Sequence, residues 1–317
     1  MPWLKTRGSF LVDEYQNPIY LRGVTCRGLD GIAPSAGQQF RDALALDDPN
    51  LSTLTGLWGV NVIRLPFQPQ TILSGTSTLS PNDLLAGLDD TVAAITQAGA
   101  YVLLSMQPAM GDSSIPAPGS DVFQAWSLLA NHYQDEPGVL YELFSVTSAL
   151  PNGWLDAAMI VIGAVRLANP SSLIFVGNGA ASSDVTGLPL RFSTGDPVFN
   201  VAYTISVAAS QFPDPNDTQL RSLAASYPVF ASPWSDGAAD FGRSAEEAAN
   251  LFERYGMGWL AENWNAEPSL VTNAASHDFA PTRWGLVVQR AMAQPVKPLL
   301  PSLRVEDDAA SAWRLGK

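Results

Sequence analysis

Carboxylates are the reactive groups this chain has in quantity. Thirty Asp and Glu side chains stand against 17 Lys and Arg, a formal net charge of −13. If the protein is an enzyme, carboxyl groups are its expected chemistry, as general acids, general bases or nucleophiles. Other reactive types are scarce. The single cysteine, Cys26, excludes an intrachain disulfide and a cysteine-based zinc site. It reads as a small buried hydrophobe, with Arg27 the only local cation that would activate a thiol. Two histidines, His132 and His277, are thin material for a metal site, so no metal and no cofactor is expected. No Gly-x-Ser-x-Gly elbow, GxGxxG turn or Walker pattern occurs. The negative charge repels phosphate, which argues against a nucleic-acid partner. With 46% hydrophobic residues the chain has ample material for a core.

Such groups need a scaffold to bring them together. Short runs rich in Val, Ile and Leu recur at 20–26, 61–67, 101–106, 139–144, 173–177, 201–205, 228–231 and 257–261. Their starts lie about 34 residues apart on average, the repeat of a strand plus a crossover helix. The runs are continuously apolar rather than alternating, as parallel strands covered on both faces are. Helical patterns fill most gaps, at 81–98, 121–133, 154–168, 217–226, 244–255 and 281–293. The first has Ser80 as N-cap, Pro81 in the first turn and Gly99 after the end. Eight such units predict an α/β chain closed into one (β/α)8 TIM barrel over residues 1–317. Phe10-Leu11-Val12 and Ile19-Tyr20-Leu21 flank turn residues and predict an N-terminal β-hairpin, within residues 1–22, that plugs the barrel bottom. Pro295, Pro298 and Pro301 predict an extended tail over 294–317. The apolar run 157–165 is too short to span a bilayer, and no apolar segment follows the early charges Lys5 and Arg7. A cytoplasmic location is therefore expected, unless a leader was removed or another export route is used.

Particular phrases resemble glycoside hydrolase family 5, the cellulase-type retaining barrels. They are Leu21-Arg22-Gly23-Val24, then Val60-Asn61-Val62-Ile63-Arg64-Leu65-Pro66-Phe67, and Ala130-Asn131-His132-Tyr133 through Tyr141-Glu142-Leu143-Phe144. Asn169-Pro170, Tyr203-Thr204-Ile205, Tyr227-Pro228-Val229-Phe230 and Met257-Gly258-Trp259 continue the series in the family's order. The resemblance implies the barrel fold and a site at the C-terminal ends of its strands. It also implies two catalytic glutamates, and neither is found. The acid/base position falls on Val146, in Ser145-Val146-Thr147, and the nucleophile position on Pro233, in Ser232-Pro233-Trp234. The family's histidine after the third strand corresponds to Gln107's neighbourhood. Its sixth-strand histidine and tyrosine correspond to Ser206 and Ala208, and its floor tryptophan after the eighth strand to Glu262. Of the familiar site residues Arg64 remains. Retaining hydrolysis needs two carboxyls about 5–5.5 Å apart, so hydrolysis by the family mechanism is expected to be lost.

The remaining candidates follow from that. Arg64 is expected to pair with Glu142, which faces inward on the neighbouring part of the barrel. Glu262, Asp236, Asp112 and Asp30 fall in loops on the site side, with Glu262 and Asp236 the alternatives for relocated catalysis. Trp234 and Trp264 follow strands on that side and are the candidates for stacking on a sugar ring, ahead of Trp126, Trp154 and Trp259. With Glu262, Arg64 and Gln107 they make the expected ligand-binding set. The residues point to a catalytically inactive barrel kept for glycan binding or for structural and protein-assembly use. Its expected partners are a polysaccharide or oligosaccharide, or itself or another protein, with no nucleic acid and no membrane. The alternative is an active glycoside hydrolase on a β-glucan or β-mannan with relocated carboxylates.

Overall fold

The computed structural model describes residues 1–107, 120–143, 154–177, 185, 187–208, 218–235 and 243–294. Three short strands open the chain: β1 (Lys5–Arg7), β2 (Phe10–Val12) and β3 (Pro18–Ile19). They form an antiparallel sheet in the order β1-β2-β3, so the predicted hairpin carries one further strand. Polar Lys5-Thr6-Arg7 gave no strand signal, and the pairing of Lys5 with Val12 makes it one.

The barrel strands are β4 (Arg22–Thr25), β5 (Val62–Phe67), β6 (Tyr101–Met106), β7 (Val139–Glu142), β8 (Ile174–Gly177), β9 (Val201–Ala208), β10 (Val229–Ser235) and β11 (Gly258–Ala261). They pair in parallel, each with the next, and β11 closes on β4. This is the (β/α)8 barrel expected from the eight apolar runs. Both faces of these strands are buried, which is why the runs are apolar throughout. A hairpin, β12 (Val271–Asn273) and β13 (Asp278–Pro281), follows the last barrel strand.

The helices are α1 (Phe40–Ala43), α2 (Asp48–Leu51), α3 (Pro69–Ser74), α4 (Pro81–Gln97), α5 (Asp121–His132), α6 (Trp154–Ala168), α7 (Thr218–Ser226), α8 (Arg243–Tyr255) and α9 (Arg283–Ala293). The Ser80 side chain caps α4 by accepting from the Asp83 N–H, as its position predicted. No amphipathic repeat announced α1, α2 or the π-helical stretch Ser52–Leu57 that follows them. Each is only four to six residues long, too short for a 3.6-residue period to show. Among the described residues no helix is long and apolar enough to cross a membrane.

Two hydrophobic layers result. The larger lies between the strands and the helices. The smaller fills the barrel, where Leu21, Val62, Leu103, Leu140, Phe175, Phe230 and Leu260 meet Leu4 and Leu11 from the N-terminal segment. That inner layer identifies which side chain of each strand points inward, and so which residue lies above it at the C-terminal mouth.

Candidate functional site

Side chains alternate across a strand, so the residue two beyond an inward apolar one also points inward. Above Leu103, Leu140, Phe230 and Leu260 therefore come Ser105, Glu142, Ser232 and Glu262, and above Val62 comes Arg64. The barrel changes from an apolar floor to a polar upper layer within one alternation. Thr25 and Thr204 belong to the same layer and are buried.

Glu142 is the centre of that layer. Its Oε2 accepts from Arg64 Nε at 2.7 Å and from the Ser105 hydroxyl, and its Oε1 accepts from the Ser232 hydroxyl at 2.7 Å. Arg64 and Glu142 are fully buried. A carboxylate taken out of water is tolerated only with such partners. The pairing expected from the sequence is thus present, with two serines that nothing in the sequence pointed to. All of Glu142's donors come from the barrel wall, and the group presents no carboxylate to solvent. Pro233 stands directly after Ser232 in β10, half-buried.

Glu262 lies just beyond β11 and is the second carboxylate of the layer. It is ion-paired to Arg27 from the loop after β4. Arg27 Nε also donates to Asn263 Oδ1 at 2.9 Å. Asn265 grips the Arg27 backbone at both ends, accepting from its N–H at 2.8 Å and donating to its carbonyl at 2.7 Å. The Glu262 N–H donates to the Trp234 carbonyl at 2.8 Å, and Trp284 Nε1 donates to the Glu262 carbonyl. Backbone and side chain of Glu262 are both fixed.

The tryptophans are not where their positions suggested. Trp234 is 1% exposed and Trp264 is 0% exposed, so neither offers a face to a sugar. Trp234 sits among Phe252, Trp259 and Trp284, with ring centroids 4.9–5.2 Å away and edge-to-face geometry. The cause is a bulge between Ala231 and Trp234 in the register of β10 with both neighbours. Strict alternation from Phe230 and Ser232 would aim Trp234 inward; one extra residue turns it into the helix layer instead. Trp264 donates to Asn50 Oδ1 at 2.7 Å and packs against Trp58 and Phe279. Trp126 and Trp259 are also core, while Trp154 is half-buried at the start of α6.

Gln107 is half-buried after β6, its N–H bound to the Phe67 carbonyl at 2.7 Å. Asp30 accepts from the Gln68 N–H at 2.7 Å and from the Thr71 hydroxyl, so it supports the start of α3 rather than facing a partner acid. His132 pairs with Asp89 on the outer surface. Burial pushes the Cys26 thiol well above its ordinary range, as a packing role requires. Val146, Asp236, Asp112 and the tail from residue 295 lie outside the described residues.

One network escaped the sequence entirely. His277 Nε2 contacts Asp47 Oδ2 at 2.7 Å; Asp47 Oδ1 accepts from the backbone and side chain of Asn50, which in turn holds Trp264. It ties the β12–β13 hairpin to α2 across more than 200 positions of sequence, a separation that no local pattern reveals. Burial alone would raise the Asp47 carboxyl, but hydrogen bonds from Asn50 and His277 outweigh it and hold the group below its ordinary range. A depressed folded-state carboxyl contributes stability above its unfolded pKa of about 4, lost as pH falls through the lower folded value. Thermal melts between pH 5 and 2 are therefore expected to show a falling Tm in the wild type. The slope should be shallower in Asp47→Asn; equal slopes would refute the assignment.

A model of the family described as Cellulase (glycosyl hydrolase family 5) matches residues 12–268. The chain belongs to that family. The matched span runs from β2 through all eight barrel strands to the loop carrying Glu262. This family member is 25% identical to Endoglucanase E-5 of Thermobifida fusca over 285 residues, 81% of its own length and 54% of that protein. It is 25% identical to Endoglucanase N of Pectobacterium atrosepticum over 287 residues, covering 86% and 59%. The chain thus spans little more than half the length of these curated relatives. Among solved structures, Cellulase Cel5C_n superposes with a TM-score of 0.71 at 20% identity over 93% of each chain. The catalytic domain of the Thermobifida fusca endoglucanase, in complex with cellotetraose, gives 0.71 at 19% identity over 92% and 97%. At these identities the structural likeness speaks for the barrel alone.

Proposed function

We propose that this cellulase-family barrel binds a β-linked oligosaccharide at its mouth without hydrolysing it. One observation carries the reading: Glu142 and Glu262, the carboxylates of the described upper layer, are each committed to an arginine. Double displacement needs one carboxyl free to attack and another that exchanges a proton with the leaving oxygen and then with water. A carboxylate held by Arg64 and two serines does neither. Beside it, the position where the family resemblance expects the nucleophile is Pro233, which has no nucleophilic atom. The oligosaccharide follows from kinship, since the relatives are named endoglucanases and one solved barrel holds cellotetraose.

The same kinship favours a second reading, an active hydrolase with relocated carboxylates. Turnover on an aryl β-cellobioside and on carboxymethylcellulose separates the two. The proposal expects rates at least about 10⁴-fold below the Thermobifida fusca endoglucanase assayed alongside. Hydrolysis with retained configuration that disappears in Glu262→Gln would establish the second reading instead. Calorimetry with cellotetraose tests the binding half. Absence of binding at millimolar sugar would leave assembly as the use of the scaffold, with light scattering to read its size.

A further inference from the structure

We propose that Arg27 and Glu262 together read the hydroxyls of a neutral saccharide, taking the place of an aromatic stacking floor. This rests on the reading that the mouth binds an oligosaccharide, and it names the residues and the ligand class. Arg27 was assigned no part in binding by its sequence context.

The first support is position. Leu260 in β11 and Glu262 just beyond it are successive inward residues, and Arg27, two residues past the end of the adjacent β4, is ion-paired to Glu262. Both groups thus converge from neighbouring strands on the C-terminal mouth, where barrels of this kind hold ligands.

The second is preorganisation. Guanidinium carries five N–H donors in a rigid plane. Two are spent, Nε on Asn263 and one Nη2 donor on Glu262. Asn265 holds the Arg27 backbone from both sides. The side chain is nevertheless 39% exposed, whereas that of Glu262 is 10% exposed. An arginine clamped on one edge and open on the other is a fixed donor array. The carboxylate beside it supplies lone pairs in reach of the same space.

The third is chemical fit. A sugar hydroxyl both donates and accepts, and a vicinal pair of them matches a guanidinium beside a carboxylate. Stacking is the usual alternative, but Trp234 and Trp264 are sealed in the core. Charge selects the ligand class. The Arg27–Glu262 pair sums to zero, and the chain as a whole carries −13. An acidic saccharide meets net repulsion, whereas a neutral one does not.

Cellotetraose binding by calorimetry tests this in the wild type, Arg27→Gln, Arg27→Lys and Glu262→Gln. Each of the Gln variants is expected to weaken binding about tenfold or more, the value of hydrogen bonds to a charged group. Arg27→Lys keeps the charge but loses the planar fork, and is expected to weaken it as well, by less. The wild type should bind cellotetraose more tightly than a glucuronate-containing tetrasaccharide, with an affinity indifferent to salt between 20 and 300 mM (~15-fold in ionic strength). Thermal melts report folding of each variant; if a Gln variant fails to fold, the lysine variant decides. Wild-type binding that Arg27→Gln and Arg27→Lys leave unchanged would overturn the recognition pair while sparing oligosaccharide binding. Tighter binding of the uronate would overturn the ligand class. No saccharide binding by the wild type would overturn both.

Discussion

Replacing Glu142 with alanine is expected to lower the stability of the barrel by about 3–5 kcal/mol, a fall in Tm on the order of 10 °C. The argument starts from Arg64, which is fully buried and whose Nε bonds the Glu142 carboxylate at 2.7 Å. Removing the carboxylate takes away the counter-charge that Glu142 gives this guanidinium in the barrel interior. The Ser105 and Ser232 hydroxyls lose their acceptor at the same time. A buried charge deprived of such a partner is far costlier than a missing surface pair, because protein around it cannot reorganise as water does. Arg64→Met alone should be damaging for the mirror reason. The double variant Arg64→Met, Glu142→Met should recover much of the loss, since an apolar pair of similar volume removes both desolvation costs. Urea denaturation of the wild type, Arg64→Met, Glu142→Met and the double variant gives the coupling directly. Additive losses would show that the two charges do not compensate one another.

Where the sequence was legible, a physical rule made it so. Parallel strands buried on both faces must be apolar throughout, and all eight runs matched barrel strands to within a few residues at their ends. The family resemblance placed Arg64 on the inside, the four-residue spacing to Val146 placed Glu142 there too, and buried opposite charges pair. Ser105 and Ser232 complete that group but carry no distinguishing signal, because a serine is equally at home on a surface. Arg27 and Glu262 are 235 positions apart, and only closure of β11 onto β4 makes them neighbours. The aromatic floor failed for a sharper reason. Counting residues from Phe230 assumes a regular strand, and the bulge before Trp234 reverses the side on which every later residue emerges. Trp234 was expected to follow a barrel strand, whereas β10 runs on through it to Ser235, and the bulge sets its direction.

That reversal yields the second large effect. Trp234→Ala is expected to cost about 3–5 kcal/mol, as truncation of a fully buried aromatic does. The side chain is wedged between β10, β11, α8 and α9, touching Trp259, Phe252 and Trp284. Alanine would leave a cavity lined by rigid rings that cannot close over it. Trp234→Phe should cost much less, because it retains an aromatic edge within the same cluster. The two uses of a tryptophan separate cleanly here. A ring at the floor of a cleft would, on removal, weaken saccharide binding and leave the melting curve where it was. A ring in the helix layer does the opposite to the fold, and touches the mouth only through its backbone. Its carbonyl accepts from the Glu262 N–H, and a main-chain bond of that kind survives side-chain truncation. Trp234→Ala measured well below its melting point should therefore bind cellotetraose within about threefold of the wild type, less than the loss of one neutral hydrogen bond. A stable variant with abolished binding would put Trp234 back at the ligand and contradict the packing described for β10.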